Sequence, residues 1–240
     1  MSADGPRSLT GLKRVVIACR KCPRLIAHCQ VIARTRRRAY QDWTYWGRPV
    51  PGVGDPAARV LVVGLAPGAH GSNRTGRMFT GDAAGATLTA ALYRAGFASQ
   101  PTSLARDDGL VFTDLYLTAA IRCAPPGNSP TPAEVARCRP YLVAELTMLP
   151  RLRVVVALGQ LAHEAFLRAA ADAGARVSRP KPRFAHGAQA RLPWGARDLV
   201  LLDSYHPSQQ NTLTGRLTPA MLDVIFQRAR RLLDAETAGR

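Results

Sequence analysis

Three short polar clusters in this chain carry side chains able to do chemistry. "MFTGD" at 78–82 places Asp82 just past a glycine-rich turn and close to Phe79. "APPGNSP" at 124–130 carries Asn128, and "SYHPSQQNT" at 204–212 carries His206, with Ser208 and Asn211 downstream. Together they offer a ring for stacking, a carboxylate, an amide that both donates and accepts, and an imidazole. No Ser or Cys is paired with a base, so covalent hydrolase chemistry is not indicated. Each residue also has a plainer reading. Asp82 suits the N-cap of a helix starting near 84, Phe79 suits a core, and a His before Pro207 suits a turn.

The cysteines form a second group. Cys19 and Cys22 make a CxxC, while Cys123 and Cys138 flank the turn "APPGNSPTP", so the chain can fold back and bring them together. Two such pairs make a four-thiolate site, suited to zinc or to an iron–sulfur cluster, and spacing alone does not separate the two. Scattered buried thiols are the plainer alternative. Cys29 is the odd one out and reads as a core or surface thiol, unless it replaces one of the four.

The stretch "GLAPGAHGSNRTGRMFTGD" at 64–82 follows the apolar run "RVLVV". A phosphate-binding loop needs GxxxxGK[ST], and the chain has no lysine between Lys21 and Lys181. A dinucleotide turn needs GxGxxG opening into a helix, whereas Gly64 and Gly68 bracket "LAP". The turn accommodates something else.

These groups need elements to hold them. Residues 8–40 read as helical, and a Trp- and Pro-containing loop, "DWTYWGRPVPGVGDP", leads to a first buried strand at about 59–64. A helix from roughly Ala84 to Ala95 follows, then strand "FTDLYLTAAI" and the loop "RCAPPGNSP". "TPAE" at 131–134 starts another helix with an N-cap, a Pro at N1 and a Glu at N3. Strand "RVVVAL", a helix at 160–172, an irregular basic stretch at 174–197, strand "DLVLLDS" and an amphipathic helix at 218–235 complete the chain. Short apolar strands alternating with helices predict an α/β, three-layer sandwich. Its central sheet is expected to be mostly parallel and four-stranded, covered by helices on both faces. The N-terminal helical segment is expected to add a cluster-binding appendage within a single domain spanning 1–240. Ligands of such sheets bind at the carboxyl ends of strands, and 64–82, 122–130 and 204–212 all fall there.

The formal charge is +17, with 33 Lys and Arg against 16 Asp and Glu. All but Lys13, Lys21 and Lys181 of the basic residues are arginine. An Arg surplus of this size points to a polyanion, most often nucleic acid. A GC-rich genome explains the ratio of Arg to Lys but not the excess of basic over acidic residues. The apolar runs are too short to span a bilayer, and no secretory-type segment is evident. The expectation is a cytoplasmic monomer without a membrane partner, in a compartment where thiols act as ligands.

The long motif at 64–82, "HPSQQNT" near the C-terminus and the two cysteine pairs together resemble the uracil-DNA glycosylase superfamily. More narrowly they resemble its family 5 type, bacterial and archaeal enzymes that carry a [4Fe–4S] cluster. The resemblance runs from Cys19 to about Leu217. Family 4 has a polar residue after the first glycine of the motif, where this chain has Leu65, so the catalytic acid must come from elsewhere and Asp82 is the best match. The resemblance implies a DNA-repair enzyme that flips uracil, and other deaminated bases such as hypoxanthine, from DNA and hydrolyses the N-glycosidic bond. It implies a floor of Gly64, Ala66 and Gly68 that lets backbone approach the ring, Phe79 stacking on the base, and Asn128 contacting it. It further implies a catalytic set of Asp82, His206 and Asn128, with His206 also at the base. Ser208, Asn211 and nearby Arg216 are expected to contact DNA, and Leu213 or Leu217 to wedge into the gap. Cys19, Cys22, Cys123 and Cys138 are expected to hold the [4Fe–4S] cluster, with zinc as the lesser alternative. Two rivals share some of these features: a non-catalytic nucleic-acid-binding protein with a redox-sensing cluster, and a zinc-bearing nucleotide hydrolase.

Overall fold

The computed structural model describes residues 6–238. After helices α1 (Leu9–Ile17) and α2 (Pro23–Thr35), the chain forms β1 (Val53–Gly54), β2 (Val60–Gly64), α3 (Ser72–Thr75) and α4 (Ala83–Arg94). Then follow β3 (Leu115–Ala119), α5 (Pro132–Met148), β4 (Val154–Leu158), α6 (Gln160–Asp172), β5 (Gln189–Trp194), β6 (Arg197–Ser204), α7 (Gln209–Leu213) and α8 (Pro219–Ala238). The sheet order is β1-β3-β2-β4-β6-β5. The central four strands are parallel and the two edges antiparallel.

The sheet therefore has six strands rather than the expected four. The missing two escaped the hydrophobic pattern for physical reasons. β1 is two residues long, and β5, "QARLPW", is an edge strand with polar side chains and a proline, mostly open to solvent. β5 lies inside the basic stretch 174–197 that reads as irregular in the sequence. The inner strands are legible because β2, β3 and β4 are buried along their whole length, as a parallel sheet covered on both faces requires.

Alternation along each strand divides two cores. Leu61, Val63, Val155 and Ala157 face α1, α2, α5 and α6. Val60, Val62, Val154 and Val156 face α4 and α8. The N-terminal segment is two helices rather than one. Cys22 stands at the N-cap of α2 with Pro23 in its first turn, a start that a missing N–H suits well. α5 begins as its sequence predicts, with a full capping box between Thr131 and Glu134.

One charged pair is sealed inside. Arg122, just beyond β3, sends Nη2 to Glu145 Oε2 of α5 at 2.6 Å, and both side chains are 1% exposed. Thr118 Oγ1 donates to the same carboxylate at 2.8 Å and also receives Arg122 Nη1. The pair fastens the loop after β3 to α5. Removing one member leaves the other charged, buried and alone, which costs about 3–5 kcal/mol. Glu145→Leu is therefore expected to lower unfolding free energy by that amount in denaturant titration, whereas a loss under about 1 kcal/mol would mean that the guanidinium finds water.

Candidate active site

The chain leaves β2 towards β3 on one side and leaves β4 towards β6 on the other. The sheet thus reverses direction between β2 and β4, which in open α/β sheets opens a crevice at the carboxyl ends of the strands. A cavity of ≈ 420 Å³ occupies that end. Leu65, Ala66, Gly68, Phe79 and Asp82 line it from the segment after β2, Asn128 from the segment after β3, and His206 and Ser208 from the segment after β6. The three polar clusters of the sequence therefore share one space.

Phe79 sits at φ 51, a left-handed conformation that costs a bulky residue energy and persists only where the surroundings enforce it. They do so from two sides. A Cβ on Gly64 would come within 2.4 Å of the Phe79 ring, and one on Gly85 within 2.2 Å of its carbonyl oxygen. Gly64 was expected to let backbone approach a ligand. It instead makes room for the Phe79 ring, and only Ala66 and Gly68 of that trio line the cavity. Asn128, in a short 3-10 turn (Pro126–Asn128), is also left-handed at φ 56 and stands exposed at the rim.

Asp82 caps α4 and also lines the cavity. Its Oδ1 accepts from Gly85 N at 2.8 Å, which caps α4. Its Oδ2 occupies the space that a Cβ would take on Gly71 or Gly68, 1.9 Å and 2.5 Å away from such atoms. Burial pushes its carboxyl above the usual range, while the Gly85 N–H and the Arg74 guanidinium pull it back. Arg74 is buried. Nε donates to His70 O at 2.7 Å and Nη2 to Gly81 O at 2.6 Å, and the guanidinium stacks on Tyr40 and Trp43 at 3.9 and 4.0 Å. Nothing in the sequence marked Arg74, because one arginine among thirty gives no signal.

His206 follows β6 directly, its ring centroid 6.3 Å from that of Phe79 and tilted 34°. Gly159, at the end of β4, would carry a Cβ 3.4 Å from that of His206. β4 thus contributes an empty place that the imidazole loop fills. Burial drives the imidazole down to about 4, so the ring is neutral at neutral pH. The loop is held from below: Asn211 Nδ2 donates to His206 O at 2.8 Å, and Ser208 Oγ accepts from Asn211 N at the start of α7. Asn211, expected at the DNA, spends its amide nitrogen on the loop instead. Leu217, the second wedge candidate, is 0% exposed and belongs to the core beside Leu222 and Phe226. Leu213 is 79% exposed at the end of α7, and the exposed Arg216 stacks over Tyr205 at 4.6 Å.

The stretch at 174–197, which carries no clear signal in the sequence, props this loop. His186 stacks on Tyr205 at 5.1 Å and accepts its backbone N–H at 3.2 Å. Beneath them His163 sets Nδ1 against Asp203 at 2.8 Å and Nε2 against Pro182 O at 3.0 Å. Burial works against a charged His163 ring, but the two acceptors outweigh it and raise its pKa.

A model of the family described as "Uracil DNA glycosylase superfamily" matches residues 51–230. The chain belongs to the uracil DNA glycosylase superfamily. It is 52% identical over 219 residues to a protein named Type-5 uracil-DNA glycosylase from Thermus thermophilus, across 91% of this chain and 95% of that one. A protein of the same name from Mycobacterium tuberculosis is 51% identical over 235 residues, across 98% and 85%. A Type-4 uracil-DNA glycosylase from Archaeoglobus fulgidus is 33% identical over 156 residues, across 65% and 61%. The family model begins past Cys19, Cys22 and Cys29, whereas the Mycobacterium alignment takes in nearly the whole chain.

In this superfamily member all five cysteines are free thiols, four of them buried, and all pack in or against one core. They come from the turn between α1 and α2, from α2, from the loop after β3 and from α5. Cys138 is pushed up to about 11, by burial first and then by Cys22 and Cys19 despite Arg122. Cys123 is raised by its hydrogen bond with Cys29, by burial and by the other thiols. The thiols thus lie within electrostatic reach of one another. Among the described residues no three His, Cys, Asp or Glu side chains stand close enough to hold one metal ion.

The seat of Asp82 Oδ2 yields a test. Gly71→Ala must displace the carboxylate by an ångström or more, and a misplacement of that size costs on the order of 10²-fold in rate. Single-turnover cleavage of a uracil-containing duplex is expected to fall accordingly, with unchanged affinity for undamaged duplex. An unimpaired rate would show that Oδ2 need not occupy this place.

Proposed function

We propose that this chain excises uracil from DNA, with the cavity between β2 and β4 receiving the base after it is rotated out of the helix. The convergence of Phe79, Asp82, Asn128 and His206 on one cavity, in a member of this superfamily, carries the reading. Phe79 offers a flat face for the ring, held by strain at a fixed angle. Asn128 offers an amide at the rim for the base's polar edge. Cleaving the N-glycosidic bond leaves positive charge on the sugar and moves the bonding electron pair onto the base. Asp82 Oδ2 faces that cation and orients the water that attacks it. His206, neutral, donates a hydrogen bond to the base oxygen on which negative charge gathers. Leu213 enters the gap that the base leaves, while Ser208 and Arg216 contact the strand beside it.

A non-catalytic nucleic-acid-binding protein would have no use for a strained ring, a carboxylate and a low-pKa imidazole facing one another. A nucleotide hydrolase is disfavoured because Asp82 is the lone carboxylate among the residues lining the cavity. The apolar wall at Leu65 offers no hydrogen bond to tell a pyrimidine from a purine, which supports acceptance of hypoxanthine beside uracil. Oligonucleotides each bearing one lesion, scored for alkali-labile abasic sites, test this range.

The gathering of the thiols in one core supports a bound inorganic group. Cys19, Cys22, Cys123 and Cys138 would hold it, and Cys29 would support Cys123. A single zinc ion brings its thiolates within 2.3 Å of one centre. A four-iron cluster accepts a wider spread, which suits the separated thiols better. When bound it would pin the N-terminal helices to the loop presenting Asn128, a structural task. Freshly purified protein is expected to be brown. Cys123→Ser is expected to lose both the visible absorption and most of the soluble yield. Colourless, zinc-loaded wild-type protein would overturn the iron–sulfur assignment.

Removing a donor to a developing oxyanion costs on the order of 10²–10³ in rate, so His206→Ala is expected to lose that much, and Asp82→Asn as much or more. Asp82 acts when ionised, and its pKa lies above the usual carboxylate value of about 4. The rate is therefore expected to fall as pH drops through that raised value. Full single-turnover rate in Asp82→Asn would remove Asp82 from the mechanism.

A further inference from the structure

Beyond the base cavity, the loop after β2 forms one wall of a second hollow of ≈ 320 Å³, lined by Tyr45, Trp46, Arg48, Arg74, Thr75 and Arg106. Its charge is one-sided. No carboxylate is within ion-pair distance of Arg48 or Arg106 among the described residues, since Asp108 is committed to Arg77 at 2.7 Å. Asp107 acts on Arg106 at longer range, and partial burial together with Arg77 holds the Arg106 guanidinium below its ordinary pKa. Arg106 lies flat on Trp46 at 3.8 Å, with Arg48 at 5.6 Å from the same ring. Gly76 permits this approach, since a Cβ there would stand 1.7 Å from Arg106 Nη2. A guanidinium stacked on an aromatic face keeps its edge free for an oxyanion.

The hollow sits at the same end of the sheet as the base cavity. Trp46 N donates to Arg74 O at 2.8 Å and Gly47 N to Asn73 O at 3.0 Å, both in the segment after β2. Val50 N donates to Arg122 O at 2.7 Å in the segment after β3. Arg74 belongs to both sites. Its guanidinium grips Gly81 O beside Asp82, and the residue forms part of the wall of the hollow. Tyr45 ties the run "RTRRR" to this wall, its hydroxyl accepting from the backbone N–H of Arg37 at 3.4 Å.

We propose that the hollow between Trp46, Arg48 and Arg106 binds one phosphodiester of the DNA strand whose base occupies the cavity, independently of sequence. The proposal rests on the glycosylase reading for its source of phosphate. Arg48 and Arg106 supply the charge, and Trp46 fixes the plane of the Arg106 fork. The site would anchor the strand on the α3 side of the cavity, opposite α7.

The test measures affinity for an undamaged duplex as a function of salt, which requires no chemistry. Neutralising one phosphate contributes about −0.9 to the slope of log K against log salt. Arg48→Gln with Arg106→Gln is expected to make the slope shallower by about that amount, with an unchanged melting temperature. Arg168→Gln with Arg191→Gln removes the same charge from α6 and β5 and is expected to leave the slope as in wild type. An unchanged slope in the first variant overturns the site, and so does an equal change in both, which would reflect net charge alone. Inorganic phosphate is expected to weaken duplex binding by wild type more than chloride at equal ionic strength, and not by the Arg48/Arg106 variant, because the ion competes with the strand for the hollow. Phosphate that binds wild type and not the variant while leaving duplex binding untouched would assign the hollow to free phosphate and overturn the strand anchor. Wild-type cleavage of a uracil duplex is scored separately. Its absence would count against the glycosylase reading, whereas cleavage with an unaltered salt slope would remove only the phosphate site.

Discussion

A carboxylate set inside a mostly buried cavity is the constraint around which this end of the molecule is arranged. Burial disfavours the charged form of Asp82. The fold answers by giving each oxygen a different surrounding. Oδ1 takes a backbone N–H at the start of α4, where the aligned peptide dipoles also favour negative charge. Oδ2 projects over Gly68 and Gly71, which carry no side chains to displace it. Arg74 adds positive charge from behind without forming an ion pair, because two of its nitrogens hold backbone carbonyls. A direct salt bridge would have occupied the oxygen that now faces Gly68 and Gly71.

The same economy governs the rest of the site. Phe79 keeps its left-handed place because two glycines leave room for it, and the imidazole is neutral because it is buried. Neither property lies in the residue itself. Both belong to the surroundings, which explains why the polar positions alone do not account for the site.

The legibility of the sequence followed the same division. The four parallel strands were readable because double-sided burial demands unbroken apolar runs, and α5 was readable because its first turn carries a capping box. Clustering of the polar segments at strand ends also followed from the parallel arrangement. The edge strands were not readable, since solvent on one side releases them from any pattern. The loop bond of Asn211 and the burial of Leu217, the latter against its reading as a wedge, were hidden for a related cause. Both residue types suit a DNA surface, but only three-dimensional packing reveals that Asn211 is spent on His206 O and that Leu217 is sealed beside Leu222. The prop formed by Phe184, His186 and Tyr205 depends on contacts across some 20 residues of chain, beyond the reach of periodicity.

The bond from Asn211 Nδ2 to His206 O has a mechanical consequence. α7 is only five residues long, with Leu213 at its far end and Asn211 at its middle. Pressure on Leu213 from a DNA groove would be carried through a single helical turn and one amide to the backbone of the imidazole. The exposed tip of α7 and the backbone of the imidazole are then two ends of one lever.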